Sequence, residues 1–333
     1  MIGVAVIGAG NWGKHVVRNF ASLDDAELKY VCDRDGAVRE SMRTTYSRAD
    51  VVSDYQQVLD DDGVGAVAVA VDAPMHFELA AAALEAGKHT YVEKPLTLSG
   101  PDAERLIELA EMNHRKLMVG HLLEYHPAVD YLKQVIESES AGRTMYLHSQ
   151  RVNLGIVRDC ENAWWSLAPH DISVACYLFD AEPVSISACG QAYLQEGIED
   201  VVFANLRFAD GRMAHIHVSW LDPHKIRRTT LVGSQKTVVF DDMEAAEKIR
   251  IYDKGAEVKT VNSYAEAVTL RTGDIMMPTL SSAEPLRIQC QHFIDCISND
   301  ATPRSDGHDG LRVVNILEAG GKSLACGGRA VNL

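Results

Sequence analysis

The most constraining feature of the sequence is a glycine-rich turn placed directly after an apolar, β-branched segment. Residues 4–7 read Val-Ala-Val-Ile and lead into residues 8–13, which read Gly-Ala-Gly-Asn-Trp-Gly. A strand followed by a G-x-G-x-x-G turn and a helix is typical of a dinucleotide-binding βαβ unit. In such a unit Gly8 permits the tight turn, Gly10 lets the backbone approach the pyrophosphate, and Gly13 allows helix and strand to pack closely. The sequence therefore predicts a dinucleotide whose pyrophosphate lies at a helix N-terminus.

An acidic residue at the end of the second apolar run bears on the choice of cofactor. Asp33 stands twenty residues after Gly13 and directly follows the run 28–32. A carboxylate there can accept hydrogen bonds from both ribose hydroxyls of NAD and would repel the 2′-phosphate of NADP. Arg34 could instead pair with that phosphate, or stack on adenine. We expect NAD rather than NADP. The predicted cofactor contacts in this segment are Gly8, Gly10, Asn11, Trp12, Gly13, Asp33 and Arg34.

The pattern of apolar segments predicts an α/β chain of two domains, as its length of 333 residues also favours. Residues 1–120 alternate strand-like and helix-like segments, which indicates a Rossmann-type, doubly wound parallel sheet. Longer alternating segments, with hairpin signals such as Asp210-Gly211, follow and favour an α+β domain with a large, mostly antiparallel open sheet. We assign residues 121–333 to this second domain, for substrate binding and oligomerisation. Its C-terminal helix could pack back on the first domain.

The predicted elements can be given by their residue ranges. Strands of the first domain are expected at 2–7, 27–32, 50–52, 65–71, 89–92 and 116–119. Strands of the second are expected at 143–152, 184–194, 200–208, 212–219, 226–233 and 236–241, with helices near 170–179, 284–298 and 309–326. The stretch 255–283 is irregular, and we interpret it as either a surface loop or an oligomer arm.

Net charge, apolar runs and cysteine spacing indicate which partners and which compartment the chain is suited to. The formal net charge of −15 disfavours nucleic acid and anionic membrane surfaces. No apolar run approaches the roughly 20 residues that a membrane-spanning helix needs. The seven cysteines are widely spaced and form no C-x-x-C motif, which is typical of reduced thiols. We therefore expect a cytoplasmic protein that binds a small molecule.

Several strands between 184 and 241 carry apolar side chains at both odd and even positions. Examples are Val201-Val202-Phe203 and Leu231-Val232. One face of this sheet can pack on the domain's own helices, but the other would leave a large apolar patch in water. Closed association of two such faces would remove the patch, so we expect a homodimer or a homotetramer.

Two segments offer groups for proton transfer. Lys94, in Glu93-Lys94-Pro95, stands at the carboxyl end of the fifth strand, the edge at which open α/β sheets bind ligands. Oxidised nicotinamide and partial burial would both lower the pKa of this lysine, although an ordinary surface lysine fits the same motif. His170 follows Pro169, which suits the first turn of a helix. A histidine there can take a hydroxyl proton, but a single histidine is more often structural.

These segments together resemble the glucose–fructose oxidoreductase, inositol dehydrogenase and MocA family, called Gfo/Idh/MocA, over essentially the whole chain. The glycine turn, Ala73-Pro74-Met75-His76, Glu93-Lys94-Pro95, Gly120-His121 and the His170 helix occur in the family's order. The resemblance implies a Rossmann domain, a second domain with an open sheet, and NAD(P)-linked oxidation or reduction at a sugar or cyclitol carbon. It implies that Lys94 and His170 are catalytic. We expect His76 and Glu93, in two of these motifs, to contact the cofactor.

A narrower resemblance concerns the substrate. Segments 120–129, 151–155 and 167–173 are similar to the branch that oxidises the 3-hydroxyl of UDP-N-acetylglucosamine or its uronic acid. A phosphate or carboxylate of such a substrate could be bound by Arg151, Asn153 and Arg158, although ordinary charge at a strand edge explains them equally well. The expected substrate contacts are Lys94, Tyr125, His126, Arg151, Asn153, Arg158, Ser166 and His170.

Two departures from the family pattern leave alternatives open. Ser166 stands four residues before His170, where the family usually has an aspartate that would orient the histidine. Val71-Asp72 replaces the usual Thr-Pro, and Asp72 could contact ribose or repel an anionic substrate. The alternatives are therefore an inositol or free-sugar dehydrogenase of the same family, or a catalytically silent NAD-binding sensor.

A metal site is not expected. His215-x-His217 would put two imidazoles on one face of a strand, as in some zinc sites, but the sequence offers no third ligand. His121 is interpreted as a cleft or packing residue.

Overall fold

The computed structural model describes residues 1–155, 157–159, 161–258 and 268–333, without the side chains of residues 256–258, 268 and 269. They form two compact units: residues 1–125 with 283–315, and residues 126–282 with 316–333. The sequence predicted a boundary after residue 120 and assigned the C-terminal part to the second domain, with a C-terminal helix that could pack back on the first. Residues 283–315 group with the first unit because their contacts lie there, for example the hydrogen bond from Val119 N to Ser305 O at 2.7 Å.

The helices and strands are numbered along the chain. The strands are β1 (Ile2–Ile7), β2 (Ala26–Cys32), β3 (Asp50–Val52), β4 (Ala66–Val69), β5 (His89–Val92), β6 (Leu117–Val119), β7 (Thr144–Val152), β8 (Pro183–Gln191), β9 (Val201–Phe208), β10 (Met213–Ser219), β11 (Ile226–Gly233), β12 (Thr237–Asp241), β13 (Ile249–Tyr252), β14 (Gly255–Val258), β15 (Val268–Arg271), β16 (Ile275–Met276) and β17 (Val331–Asn332). The α-helices are α1 (Gly13–Ala21), α2 (Gly36–Thr45), α3 (Gln56–Leu59), α4 (His76–Glu85), α5 (Gly100–Met112), α6 (Pro127–Glu137), α7 (Ala163–Phe179), α8 (Pro285–Ser298) and α9 (Gly307–Ala325).

The first unit is built on a six-stranded parallel sheet with the strand order β3-β2-β1-β4-β5-β6. The order reverses between β1 and β4, and this is where open α/β sheets bind their ligands. Helix α8, from the far end of the chain, completes the core: the Phe293 ring lies 6.3 Å from Phe20 of α1 and 6.1 Å from Tyr91 of β5. The predicted doubly wound sheet is confirmed.

The second unit is built on a nine-stranded sheet with the order β16-β13-β12-β11-β7-β10-β9-β8-β17. Its pairs are antiparallel except that of β7 with β10. This confirms the predicted mostly antiparallel sheet. Alternate residues of β10, namely Ala214, Ile216 and Val218, are buried on the face that packs against α7.

The opposite face of this sheet carries large apolar side chains that the second unit itself leaves partly exposed. Phe203 on β9 is 41% exposed, Tyr146 on β7 is 45% exposed and Met213 on β10 is 37% exposed. Residues 259–267, within the stretch predicted to be a loop or an oligomer arm, lie outside the described residues. On either side of them β14 and β15 pair in antiparallel fashion. Among the described residues, no helix combines the length and the apolar character needed to cross a membrane.

Candidate active site

The glycine turn after β1 has the shape that a dinucleotide requires. Gly8 has φ +90°, and a Cβ built on it would lie 2.5 Å from the main-chain oxygen of Ala70, the residue after β4. A Cβ on Gly13 would lie 2.1 Å from the oxygen of Gly8, so helix and turn meet too closely for a side chain. Gly10 instead faces open space, and Asn11 and Trp12 beside it are exposed. The turn therefore leaves room for a pyrophosphate at the start of α1.

The acid at the end of β2 is held beside this turn. Asp33 accepts one hydrogen bond from Ala9 N through Oδ2 and another from Asp35 N through Oδ1, both at 2.8 Å. Each carboxylate oxygen keeps a further acceptor site, which is what two ribose hydroxyls need. Arg34 is exposed, and Arg39 donates to the main-chain oxygen of Asp33 at 2.8 Å. The donor and acceptor set fits NAD.

His76 connects the turns that follow β4 and β5. Its Nδ1 lies 2.7 Å from Pro95 O and its Nε2 lies 3.1 Å from Val71 O, and the ring is buried. Burial lowers the pKa of His76, so the ring is neutral and has a single N–H. We assign that N–H to the shorter contact, with Pro95. The sequence expected His76 to contact the cofactor, whereas both its ring nitrogens face the main chain; Asp72, next to Val71, is exposed.

Glu93 is turned into the first unit, directly before the half-buried Lys94. Its Oε1 accepts from the Tyr91 hydroxyl at 2.8 Å, and its Oε2 lies 3.3 Å from Lys94 N. Burial raises the pKa of Tyr91, which keeps this phenol protonated as the donor. A Cβ on Gly120 would lie 2.8 Å from Glu93 Oε2, so the glycine makes room for the carboxylate. Glu93 thereby fixes the main chain from which Lys94 projects.

A buried histidine with two carboxylates lies just beyond β6. His121 Nδ1 is 2.6 Å from Asp309 Oδ2 and 3.5 Å from Glu124 Oε1. Burial alone would lower the pKa of His121, but Asp309 and Glu124 outweigh it and raise the pKa to about 9. Burial, with Asp309 nearby, raises the pKa of Glu124 to about 8. Sequence reasoning missed this cluster because Asp309 follows His121 by 188 residues.

The same three side chains have metal-ligand chemistry, since one ligand atom from each lies within 4.8 Å of the others. Two ligands of a tetrahedral zinc ion are about 3.3 Å apart, given metal–ligand bonds of roughly 2.0 Å. The 2.6 Å separation of His121 and Asp309 is instead that of a charge-assisted hydrogen bond. The observed geometry therefore describes a proton-binding cluster.

Tyr125, an expected substrate contact, is buried in the first unit. Its hydroxyl lies 3.0 Å from Ser305 Oγ and accepts from Ser305 N at 3.2 Å. The Arg304 guanidinium lies 5.0 Å from the centre of its ring. These contacts commit the hydroxyl to the protein interior.

In the second unit His170 lies on α7, which begins earlier than the sequence suggested. The helix starts at Ala163, where the side chain of Asn162 accepts from Trp165 N at 3.1 Å. The expectation that Pro169 marks the first turn was wrong: it lies inside the helix. Nothing in the apolar run before it signals the earlier start, because α7 is buried on most of its faces. His170 is half-buried, and Ser166 is buried one helical turn before it.

Arg151 forms a buried ion pair with the residue that follows His170. Its Nε donates to Asp171 Oδ2 at 2.7 Å and its Nη2 donates to Oδ1 at 3.3 Å. Ser149 donates to the same Oδ1 at 2.5 Å. The guanidinium of Arg151, which the sequence offered as one candidate for a substrate anion, is thus engaged by a carboxylate and links α7 to β7.

The other residues expected to contact the substrate in the second unit are His126, Arg158 and Asn153. His126 caps α6: its Nδ1 accepts from Ala128 N at 3.0 Å, and its Nε2 lies 3.6 Å from Asp242 Oδ1. Arg158 is exposed and lies 3.1 Å from Glu161 Oε1. Asn153 follows β7 and donates through its main chain to Ser219 O at 3.0 Å.

The histidines of β10 lie on the open face of the sheet. His215 Nδ1 lies 2.9 Å from Asn205 Oδ1, and its ring centre is 5.3 Å from that of His148. His217 stacks on Phe203 at 4.3 Å. Burial lowers the pKa of both histidines of β10, so they are neutral packing groups at pH 7.

Family models match both parts of the chain. Residues 2–121 match the oxidoreductase family with an NAD-binding Rossmann fold called Gfo/Idh/MocA, and residues 129–239 match a Gfo/Idh/MocA C-terminal domain. The chain is 28% identical to UDP-N-acetylglucosamine 3-dehydrogenase from Acidithiobacillus ferrooxidans over 93% of each protein. It is 27% identical to inositol 2-dehydrogenase 1 from Mycolicibacterium vanbaalenii, over 98% of this chain and 94% of that protein.

Solved structures show the same fold. UDP-N-acetylglucosamine 3-dehydrogenase from A. ferrooxidans superposes with a TM-score of 0.82, at 25% identity and over 98% of this chain and 99% of that one. Aldose-aldose oxidoreductase from Caulobacter crescentus superposes with a TM-score of 0.85 at 18% identity, over 100% of this chain and 99% of that one.

Proposed function

The chain belongs to the Gfo/Idh/MocA family of NAD-binding oxidoreductases acting on CH–OH groups, and we propose that it oxidises the 3-hydroxyl of a UDP-N-acetyl amino sugar. The observation that carries the substrate proposal is the similarity, along 93% of each chain, to a UDP-N-acetylglucosamine 3-dehydrogenase. The segments 120–129, 151–155 and 167–173, which resemble that branch, support the same substrate.

The chemistry needs a hydride acceptor and a proton acceptor. The glycine turn and Asp33 would hold NAD, which would supply the hydride acceptor for the carbinol carbon. We assign the hydroxyl proton to Lys94 or His170, with the other steadying the developing negative charge on oxygen. Glu93 and His76 hold the turn of Lys94, and Asp171 holds the helix of His170.

The substrate test is direct. Purified protein is incubated with NAD and either UDP-N-acetylglucosamine or its uronic acid, and formation of NADH is followed by absorbance. Turnover on one of these, and much less on free sugars, is the expected result. Turnover confined to inositol or glucose would reject the UDP-sugar and favour the second candidate, an inositol or free-sugar dehydrogenase, which the inositol 2-dehydrogenase relative supports.

The two proton-handling residues are tested by substitution. We expect Lys94→Ala and His170→Ala each to lower turnover by roughly 100-fold or more, with the double variant far less than multiplicatively worse. Binding of NAD, measured by calorimetry, should persist in each. Lys322→Ala and His224→Ala remove an exposed lysine and an exposed histidine as matched controls and should leave turnover unchanged. Near-normal turnover in either single variant removes that residue from the mechanism.

A silent sensor is a third possibility, and Ser166 is the residue that favours it. A serine four residues before His170 can offer a hydrogen bond but not the charge of the usual aspartate. The sensor predicts tight binding of NAD without oxidation of any sugar in a broad panel. Restoring the aspartate, as Ser166→Asp, would then raise turnover from the background.

A further inference from the structure

Arg227 stands opposite Arg151 in the second unit. Strands β7 and β11 pair in antiparallel fashion with Arg227 directly across from Arg151. Side chains of directly opposed residues project from the same face of a sheet. That face carries the pair of Arg151 with Asp171, so Arg227 lies beside the turn of α7 that carries His170.

The two arginines differ in how their charge is balanced. Arg151 is buried and holds both oxygens of Asp171. Among the residues that the structure describes, Arg227 has a single ion-pair contact, from Nη1 to Asp242 Oδ2 at 3.9 Å, which is too long for a hydrogen bond. Its side chain is 43% exposed, so solutes can reach it.

The carboxylate nearest to Arg227 is already engaged elsewhere. Asp242 Oδ1 accepts from Lys248 Nζ at 3.0 Å and lies 3.6 Å from His126 Nε2. Burial alone would raise the pKa of Asp242, but His126 and Lys248 outweigh it and lower the pKa. Asp242 is thus ionised, with its better contacts made to groups other than Arg227.

The local charge is positive although the chain as a whole is acidic. Three fixed cations, Arg151, Arg227 and Lys248, stand near two carboxylates, Asp171 and Asp242, which leaves an excess of one positive charge. The chain as a whole carries −15. Burial, with Arg151 nearby, lowers the pKa of Arg227, as expected for a cation that lacks a close counter-ion.

We propose that Arg227 binds an oxyanion of the substrate, a phosphate or a carboxylate, through two parallel N–H···O hydrogen bonds. The proposal rests on the proposed sugar oxidation and adds to it the residue that binds the anionic part of the substrate. The planar guanidinium of Arg227 has no close ion-pair partner among the described residues, so its N–H groups can make this contact. Those of Arg151 are engaged by Asp171.

The test measures binding separately from turnover. Binding of UDP, inorganic phosphate and D-glucuronate to the NAD-loaded protein is measured by calorimetry for the unmodified chain, Arg227→Gln and Arg227→Lys. Loss of a charge-assisted contact should weaken binding of the recognised anion roughly 10- to 100-fold in Arg227→Gln, with a smaller loss in Arg227→Lys. Weakened binding of UDP and phosphate identifies a phosphate group, and weakened binding of glucuronate identifies a carboxylate.

Arg228→Gln is the matched control. Its side chain points to the opposite face, where Nη2 contacts Asp241 Oδ2 at 2.6 Å, and anion binding should stay within twofold of the unmodified value. Thermal unfolding midpoints verify that each variant is folded. Equal binding of all three anions by Arg227→Gln and the unmodified chain, or no binding to either, overturns the proposal. Arg227-dependent binding without turnover of any sugar leaves the anion site standing and rejects the proposed oxidation.

Discussion

Replacing Arg151 tests whether it is a structural partner of Asp171 or a substrate ligand. The Asp171 carboxylate is 2% exposed and is held by Arg151 and Ser149. Arg151→Met keeps much of the side-chain volume but leaves a buried carboxylate with one hydroxyl donor. Breaking a buried pair in this way costs about 3–5 kcal/mol of unfolding free energy.

The double variant separates the loss of the ion pair from the cost of leaving a buried carboxylate without its partner. Replacing both charges, as Arg151→Met with Asp171→Leu, removes the stranded carboxylate, and buried pairs replaced by apolar groups are often neutral in stability. We therefore expect the double variant to be more stable than Arg151→Met alone, which gives a coupling energy of about 2 kcal/mol or more. Because His170 is the neighbour of Asp171, turnover should fall in the single variant and recover only in part in the double.

Urea unfolding followed by tryptophan fluorescence measures these differences, since Trp164, Trp165 and Trp220 all lie in the second unit. Arg158→Met serves as a control, because Arg158 is exposed and its pair with the partly buried Glu161 is worth about 1 kcal/mol. A cost below about 1 kcal/mol for Arg151→Met, together with a raised KM and an unchanged kcat, would refute the buried-pair reasoning and restore Arg151 as a substrate ligand.

The protein should prefer NAD to NADP in kcat/KM, and Asp33→Ser should narrow the preference; equal use of NADP by the unmodified chain refutes this assignment. In the folded state the pKa of His121 is raised from its ordinary 6.5 to about 9, and the pKa of Glu124 is raised from its ordinary 4.5 to about 8. The stabilisation from protonated His121 is complete below about pH 6.5 and is lost as the pH rises through about 9; that from protonated Glu124 is complete below about pH 4.5 and is lost as the pH rises through about 8. We therefore expect the thermal unfolding midpoint to fall between pH 7 and pH 9.5, and to fall less steeply in Glu124→Gln. A flat profile contradicts this. Light scattering should give a mass above the 36.5 kDa of one chain, and Phe203→Asp should reduce it; a mass near 36.5 kDa means a monomer.

The first unit was predictable in detail because β1, β4, β5 and β6 are buried on both faces. Buried strands of this kind tend to be apolar throughout, as β1 and β4 are. The predicted ranges 2–7, 50–52 and 89–92 coincide with β1, β3 and β5. The parallel direction of the strands follows from their alternation with helices along the chain. The glycine turn and Asp33 were also visible, because they are close in sequence and their backbone requirements are local.

Contacts between distant segments could not be read from the sequence. The pairing of His121 with Asp309 and the packing of α8 in the core of the first unit join segments with no shared pattern. The start of α7 was missed because apolar residues lie on most faces of this helix, so the sequence shows no helical periodicity that begins at its first residue. Pro169 then suggested a first turn that the helix does not have there.

The arginines of the second unit show how far residue chemistry alone can identify a binding residue. From the sequence, Arg151, Asn153 and Arg158 were the candidates for binding an anion, and Arg227 was not among them. Strand register changes this ranking, since it sets Arg227 across from Arg151 and turns Arg228 to the other face. Asp171 then neutralises Arg151, whereas the carboxylate that lies nearest to Arg227 among the described residues is 3.9 Å away. The guanidinium available to a substrate anion is thus decided by which arginine the protein's own carboxylates leave unbalanced.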